Sequence, residues 1–183
     1  NFLEAIAESS RTDLEPFRAW YRQAGTPRVS VRGQYSENKE EYELHFEQSY
    51  PQLSAAGERQ AVPIPIQIGL LNKAGWSIAS AETDIFLLEK PKDRLVLTEI
   101  SEQPIPSLLR QFSAPVRLTY DYSPEELALL CQRDSDEFNR WDAGQRLATM
   151  VIEQSLQSLQ QGQPPTEPTL LLESFRAILR SGH

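Results

Sequence analysis

The sequence is poor in the residues that most reactions need. It has one cysteine, two histidines and one methionine in 183 residues. The single Cys131 excludes an internal disulfide and any cysteine-based zinc cluster. It sits among apolar helical positions, which marks a buried, inert thiol rather than a nucleophile. His45 lies on the polar side of a strand whose other side carries Tyr42, Leu44 and Phe46, and only Glu43 and Glu47 share its face. It reads as a solvated surface histidine, and His183 is the last residue. No Gly-rich phosphate loop, G-x-S-x-G elbow or H-E-x-x-H helix occurs; His45-Phe46-Glu47-Gln48-Ser49 has no second histidine at the required spacing. The acidic cluster Glu40, Glu41, Glu43 and Glu47 lacks the contrast of environments that splits the pKa values of a catalytic pair, so it faces water. No catalytic, cofactor-binding or metal-ligating residue is expected in the chain.

Long apolar runs are also missing. No stretch approaches the roughly 20 apolar residues that cross a bilayer, and the first residues, NFLEAIAESS, show neither the basic nor the apolar region of a signal peptide. Net charge is −8, distributed as −1 over residues 1–27, −3 over 28–122 and −4 over 123–183. Acidity spread along the chain argues against nucleic acid or an anionic membrane as partner. Without a disulfide framework, a reducing cytoplasm is the expected compartment.

What the sequence does contain is a change of period, twice. Residues 1–25 read as helix, broken once, with Phe2, Ala5 and Ile6 at helical spacing in the first piece. Thr12 or Asp13 caps the second piece, Leu14, Phe17, Trp20 and Tyr21 form its stripe, and Gly25 with Pro27 ends it. From Arg28 the period becomes two. Val29 and Val31, then Tyr42, Leu44 and Phe46, then Ile64, Ile66, Ile68 and Leu70, then Val116, Leu118 and Tyr120 alternate with polar or small residues. Runs at Ile85–Leu88, Leu95–Ile100 and Leu108–Phe112 supply the remaining strands. Loops at Gly33–Lys39, Pro51–Gln60, Asn72–Gly75 and Lys90–Asp93 separate them. Pro63 and Pro65 place their strand late or at an edge. About seven short strands without interleaved helices predict an antiparallel, Ig-like β-sandwich.

At Ser123 the helical period returns. Ser123-Pro124-Glu125-Glu126 is a capping box with proline at the first helical position. A second helix starts near Ser135 or Asp136 and runs to about Gln161 with Phe138, Trp141, Leu147, Ile152, Leu156 and Leu159. After the PPTEP break at 164–168, Leu170–Leu179 forms a third. The fold class is therefore mixed, mainly β: a sandwich flanked by α-helical segments. Trp20 and Trp141 fit core stripes; Trp76 has two readings, an exposed recognition aromatic or a residue that folds back onto the sheet, and the second is expected. Neither helical flank is large enough to close a core of its own.

Three segments carry a family resemblance. Asp13-Leu14-Glu15-Pro16-Phe17-Arg18-Ala19-Trp20-Tyr21-Arg22-Gln23-Ala24-Gly25-Thr26-Pro27, Phe112-Ser113-Ala114-Pro115-Val116-Arg117-Leu118 and Asp136-Glu137-Phe138-Asn139-Arg140-Trp141-Asp142-Ala143 resemble, in order and spacing, segments of the bacterial aminopeptidase N family. The resemblance implies a parent that is a zinc-dependent exopeptidase of the gluzincin type, acting on the N-termini of peptide substrates. That family's H-E-x-x-H and Gly-x-Met-Glu-Asn motifs are not in this sequence, whose only methionine is Met150. So no functional residue is carried over, and zinc belongs to the parent.

What the resemblance implies is architecture. Residues 1–26 resemble the last helices of a thermolysin-like catalytic domain, 27–122 a sandwich spacer, and 123–183 the start of a helical C-terminal domain roofing the active site. The expected partners are the other domains of the same polypeptide, with self-association through helical faces left uncovered. A stand-alone sandwich that binds protein or carbohydrate is the alternative, which exposed aromatics on a sheet face would favour.

Overall fold

The computed structural model describes residues 2–11, 13–50, 60–78 and 85–181, without the side chains of Phe2, Ala5 and Ser181. Thr12 as a cap, the loop through residues 51–59 and His183 lie outside the described residues. Helix α1 (Phe2–Ser10) is followed by a 3-10 turn at Pro16–Arg18 and a single turn of α2 (Ala19–Arg22). The sandwich comprises β1 (Arg28–Ser36), β2 (Glu41–Ser49), β3 (Ile64–Ile66), β4 (Ile68–Leu71), β5 (Phe86–Leu88), β6 (Lys92–Leu97), β7 (Ile105–Leu108) and β8 (Arg117–Thr119). Helices α3 (Pro124–Arg133), α4 (Glu137–Gln160) and α5 (Thr169–Ser181) complete the described chain.

One layer is a four-stranded sheet in the order β6-β2-β1-β8, and the other is made of two pairs, β3-β5 and β4-β7. Alternation works as expected in the long hairpin: Val29, Val31, Tyr42, Leu44 and Phe46 point inward, while Arg32, His45 and Glu47 point out. Tyr35 pairs with Tyr42 and donates its hydroxyl to the Ile100 carbonyl at 3.0 Å, so β1 continues through Ser36 where a loop was expected from Gly33. The opposing layer contributes Ile64, Ile66, Ile68, Leu70 and Leu88, all buried. Gln48 is buried among them and spans the layers: its amide donates to the Val62 and Lys90 carbonyls and accepts from the Val62 N–H. Phe46 and Phe86 stack at 4.7 Å across the core.

Three strands depart from the sequence pattern. Ile64–Leu70 divides at Gln67, whose N–H donates to the Ser113 hydroxyl and whose carbonyl accepts from Arg110 N–H. With both backbone groups captured by another turn, the chain passes from one strand pair to the next. The run at Leu108–Phe112 is a strand only to Leu108, because Leu109 is left-handed (φ 57°) and Arg110–Phe112 forms a 3-10 turn. The strand expected at Leu95–Ile100 is Lys92–Leu97, set by its register against β2. At the N-terminus, the helix stops at Arg22 rather than at Gly25; Gln23 is extended and exchanges hydrogen bonds with the Gln60 backbone.

The sheets are largely antiparallel, with one consequential exception: β1 and β8 run parallel, Arg28 beside Arg117 and Ser30 beside Thr119. The first and last strands of the sandwich therefore start at the same end. The chain comes in at that end and leaves from the other.

Two cores result. The larger lies within the sandwich, and the smaller gathers Leu71, Ile105 and Tyr122 with Leu127, Leu130, Cys131, Ala143 and Leu147 of the helices. Residues 28–122 should accordingly fold alone, and a random-coil circular dichroism spectrum for that segment would overturn the reading. In urea denaturation, Phe46→Ala should cost about 3–5 and Ile66→Ala about 2–5 kcal/mol. Leu118 is only half-buried, so Leu118→Ala should cost less than either.

Candidate interdomain junction

At the incoming end, α2 is pinned to the sandwich by side chains reaching backbone. Trp20 Nε1 donates to the Pro63 carbonyl at 2.9 Å, Gln23 pairs with Gln60, and Arg117 N–H donates to the Pro27 carbonyl at 2.9 Å. Trp20 is half-buried as its stripe implied, but Phe17 is partly exposed and Tyr21 projects into solvent.

At the outgoing end, three tyrosines carry the chain from sheet to helices. Tyr42 and Tyr120 hydroxyls meet at 3.1 Å, the Tyr120 and Tyr122 rings lie 4.5 Å apart, and Tyr122 donates its hydroxyl to the Pro106 carbonyl at 2.7 Å. Gly33 makes room for this: a Cβ there would overlap the Tyr42 hydroxyl at 2.0 Å. Burial pushes the Tyr42 and Tyr122 hydroxyls far above the ordinary phenol range, so they are neutral at any physiological pH. Arg146 of α4 lies over the Tyr122 ring and reaches the Leu118 carbonyl.

Beyond the tyrosines lies a polar latch between β7, the turn after it and the α3–α4 connection. Asp134, the C-cap of α3, is buried; one carboxylate oxygen accepts from the Ser107 hydroxyl at 2.6 Å and the other from Asp136 N–H at 2.9 Å. Arg110 stands 3.7 Å from the same carboxylate and bonds the Ser135 hydroxyl. Asp136 caps α4 by accepting from Asn139 N–H, and its second oxygen accepts from Gln111 N–H at 2.8 Å. Asn139 closes the ring, its amide donating to Ser107 Oγ at 2.7 Å and to the Leu108 carbonyl at 3.0 Å. The capping box at Ser123 and Glu126 forms as its sequence requires. The predicted α4 start at Asp136 was legible from its capping role. Asp134, Ser107 and Arg110 gave no such signal, because their partners lie 24–27 residues away.

The residues weighed for chemistry lie elsewhere. His45 is exposed on the outer sheet face, its Nε2 3.2 Å from Glu43, which also lies 3.6 Å from Arg94; Glu47 pairs with Lys92. Cys131 is buried against Gly144, and burial pushes its thiol up, away from the thiolate. Among the described residues no group of three or more His, Cys, Asp and Glu is placed to hold a metal ion, and no helix is long and apolar enough to cross a membrane. Two tryptophans correct the sequence reading. Trp76 is 67% exposed, because Asn72 Oδ1 accepts from Ala74 and Trp76 N–H and holds the turn away from the sheet. Trp141 is 60% exposed.

This fold and this junction place the chain in a class. Residues 25–121 match the family described as a domain of unknown function (DUF3458) with an Ig-like fold, and the chain belongs to that family. Residues 124–183 match its companion, DUF3458_C, described as ARM repeats. The particular relatives are peptidases. The chain is homologous to bacterial aminopeptidase N: it is 34% identical over 184 residues to that of Escherichia coli (strain K12), covering 98% of this chain and 21% of the relative. It is 39% identical over 151 residues to aminopeptidase N of Caulobacter vibrioides, covering 82% and 17%. A crystal structure of Legionella pneumophila aminopeptidase A in complex with aspartic acid superposes with a TM-score of 0.82 at 30% identity, covering 98% of this chain and 19% of that one. The chain spans about a fifth of the length of the curated relatives it matches.

Asp134→Ala would leave the Ser107 hydroxyl, the Asp136 N–H and Arg110 without their shared acceptor, and should cost about 3 kcal/mol in denaturant titration. The pH dependence has a definite sign. Burial holds the Asp134 carboxyl above its ordinary value, against the opposing pull of Ser107, the Asp136 N–H and Arg110. The folded chain thus holds this proton more tightly than the unfolded chain. Its stability contribution is greatest below the unfolded value, about 3.9, and declines as pH rises through the folded one. The stability difference between wild type and Asp134→Asn should follow that slope, and a pH-independent difference would refute the assignment.

Proposed function

We propose that the chain is the non-catalytic, interdomain portion of a zinc-dependent aminopeptidase. In this reading, residues 1–26 end the catalytic domain, 27–122 form the spacer and 123–183 begin the helical roof, all in the cytoplasm. The substrate peptides and the zinc belong to the whole enzyme. The described residues do not fit a zinc site, and no step of the reaction is assigned to them.

The observation that carries the reading is the parallel pairing of β1 with β8. An antiparallel pair would return the chain to the end where it entered and set both flanks side by side. The parallel pair sends it through, so the flanks stand in series. At ~3.3 Å per residue, the nine residues of β1 span about 30 Å. The three segments that resemble the family fall at the junctions: Trp20 and Gln23 at one end, Phe112 and Asp136–Asn139 at the other. The binding-module alternative gains nothing from the outer sheet face, which carries Arg32, Glu43, His45, Glu47, Lys92 and Arg94 rather than aromatics.

The test is direct. The 183-residue chain should neither retain stoichiometric zinc after dialysis nor hydrolyse an amino-acid anilide, while the longer polypeptide encoded around it should do both. Zinc retention with hydrolysis by the short chain would overturn the proposal. In the longer polypeptide, Asp134→Ala should lower kcat/KM without changing zinc content, since it loosens the roof and leaves the metal alone.

A further inference from the structure

We propose that the outer face of the four-stranded sheet is a docking surface for an extended acidic segment of a separate protein, held by Arg28, Arg32 and Arg117. The proposal goes beyond the interdomain reading and does not depend on it.

This face runs against the charge of the chain. Net charge is −8 overall. Yet five of the ten lysines and arginines in residues 28–122 point outward here, against three of the thirteen acidic residues, so the face is positive. On the β2–β6 half the charges are partnered: Glu47 pairs with Lys92 at 3.0 Å, and Glu43 lies 3.2 Å from His45 and 3.6 Å from Arg94. On the β1–β8 half they are not. Arg28, Arg32 and Arg117 are exposed and have no ion pair among the described residues. Arg28 lies directly beside Arg117 in the parallel register, and Arg32 stands in one row with His45 and Arg94 across three strands. Like charges set side by side across strands repel. A carboxylate laid between them replaces that repulsion with charge-assisted hydrogen bonds.

The spacing of the arginines selects an extended ligand. Arg28 and Arg32 share one face of β1 four residues apart, which is about 13 Å along a strand. Carboxylates at positions i and i+4 of an extended segment have the same separation, and each guanidinium grips a carboxylate through two parallel bonds. Ser30 stands between the two arginines. Beside Arg32 the surface opens into a cleft of about 560 Å³ lined by Ser30, Gln34, His45, Glu47 and Lys92. The flanks leave this face clear. Trp20 reaches Pro63, Gln23 reaches Gln60, Asn139 reaches Leu108 and Asp136 takes the Gln111 N–H, none of them in the four-stranded sheet. Arg146 touches only the Leu118 carbonyl at its edge. The face also lacks aromatics, so it engages its partner by charge and not by stacking. A nucleic acid or an anionic membrane would bring its dense charge against the acidic remainder of the chain; a short acidic segment lies within the positive face.

Fluorescence anisotropy tests this with a labelled nonapeptide of serine and threonine carrying glutamate at its first, fifth and ninth positions. The peptide should bind the 183-residue chain and the longer polypeptide alike at low salt, and added salt should weaken it. Arg32→Gln and Arg117→Gln, both at exposed positions, should each lower affinity about tenfold. Lys73→Gln removes the same charge from the turn before Trp76 and should change nothing. No binding at low salt, or equal weakening by Lys73→Gln, would overturn the proposal. Equal affinity for an isomer with its three glutamates adjacent would overturn it too, since the spacing would then select nothing. Tighter binding of a single-stranded oligonucleotide or of phosphatidylserine vesicles would give the face to a different partner. Binding by the short chain alone would mean that another domain of the same polypeptide covers the face. Displacement of the peptide as the chain dimerises would put a second copy there, and either result would refute a separate acidic partner.

Discussion

The hydrogen bond from the Ser107 hydroxyl to the buried Asp134 carboxylate decides how the helical half sits on the sandwich. A buried carboxylate is a poor source of net stability, because desolvation offsets most of what its partners return. It is, however, intolerant of misplacement: shift α3 by an ångström and a charged group loses its donors in a place water does not reach. Asp134 ends α3, Asp136 starts α4, and Ser107 lies within β7. One cluster therefore fixes the direction of two helices relative to one strand, where apolar packing alone would accept a range of angles.

That positional strictness matters because of how the chain passes through the sandwich. With β1 and β8 parallel, whatever precedes Arg28 and whatever follows Tyr122 are separated by the sheet itself. The Tyr42, Tyr120 and Tyr122 series ties the exit to the sheet by neutral hydrogen bonds that do not titrate in the physiological range. The entry and the exit of the chain are each tied to the sandwich by side-chain hydrogen bonds to backbone carbonyls.

Much of this was legible in the sequence. The alternation of Val29–Val31 and Tyr42–Phe46 fixed an inward face, and Ser123-Pro124-Glu125-Glu126 named its own helix start. The rest depended on contacts that local patterns do not encode. Ile64–Leu70 is one alternating run, yet it divides at Gln67 because Arg110 and Ser113, more than 40 residues on, take its backbone groups. The parallel register of Arg28 with Arg117 joins residues 89 positions apart. Asp134 looked like a linker residue between two helices; only the fold brings Ser107 to it. Trp141 and Trp76 were misread for a related reason: periodicity reports that a face is apolar, not that a neighbour is present to cover it.

The turn at Leu109–Phe112 shows how the two halves depend on each other. Leu109, Gln111 and Phe112 are all left-handed, with φ between 52° and 57°, and such conformations cost roughly 1–3 kcal/mol each in residues with side chains. The turn and the residue after it nonetheless make three bonds to two distant places: Arg110 N–H donates to the Gln67 carbonyl, Gln67 N–H donates to the Ser113 hydroxyl, and Gln111 N–H donates to Asp136. The first two hold the point where the chain crosses between strand pairs; the third holds the residue that caps α4. Strain in the turn is therefore offset from both sides at once. Loosening α4 would weaken the support of a crossing inside the sandwich, and a disturbed crossing would release the cap. One turn thus supports a strand crossing inside the sandwich and the start of α4 together.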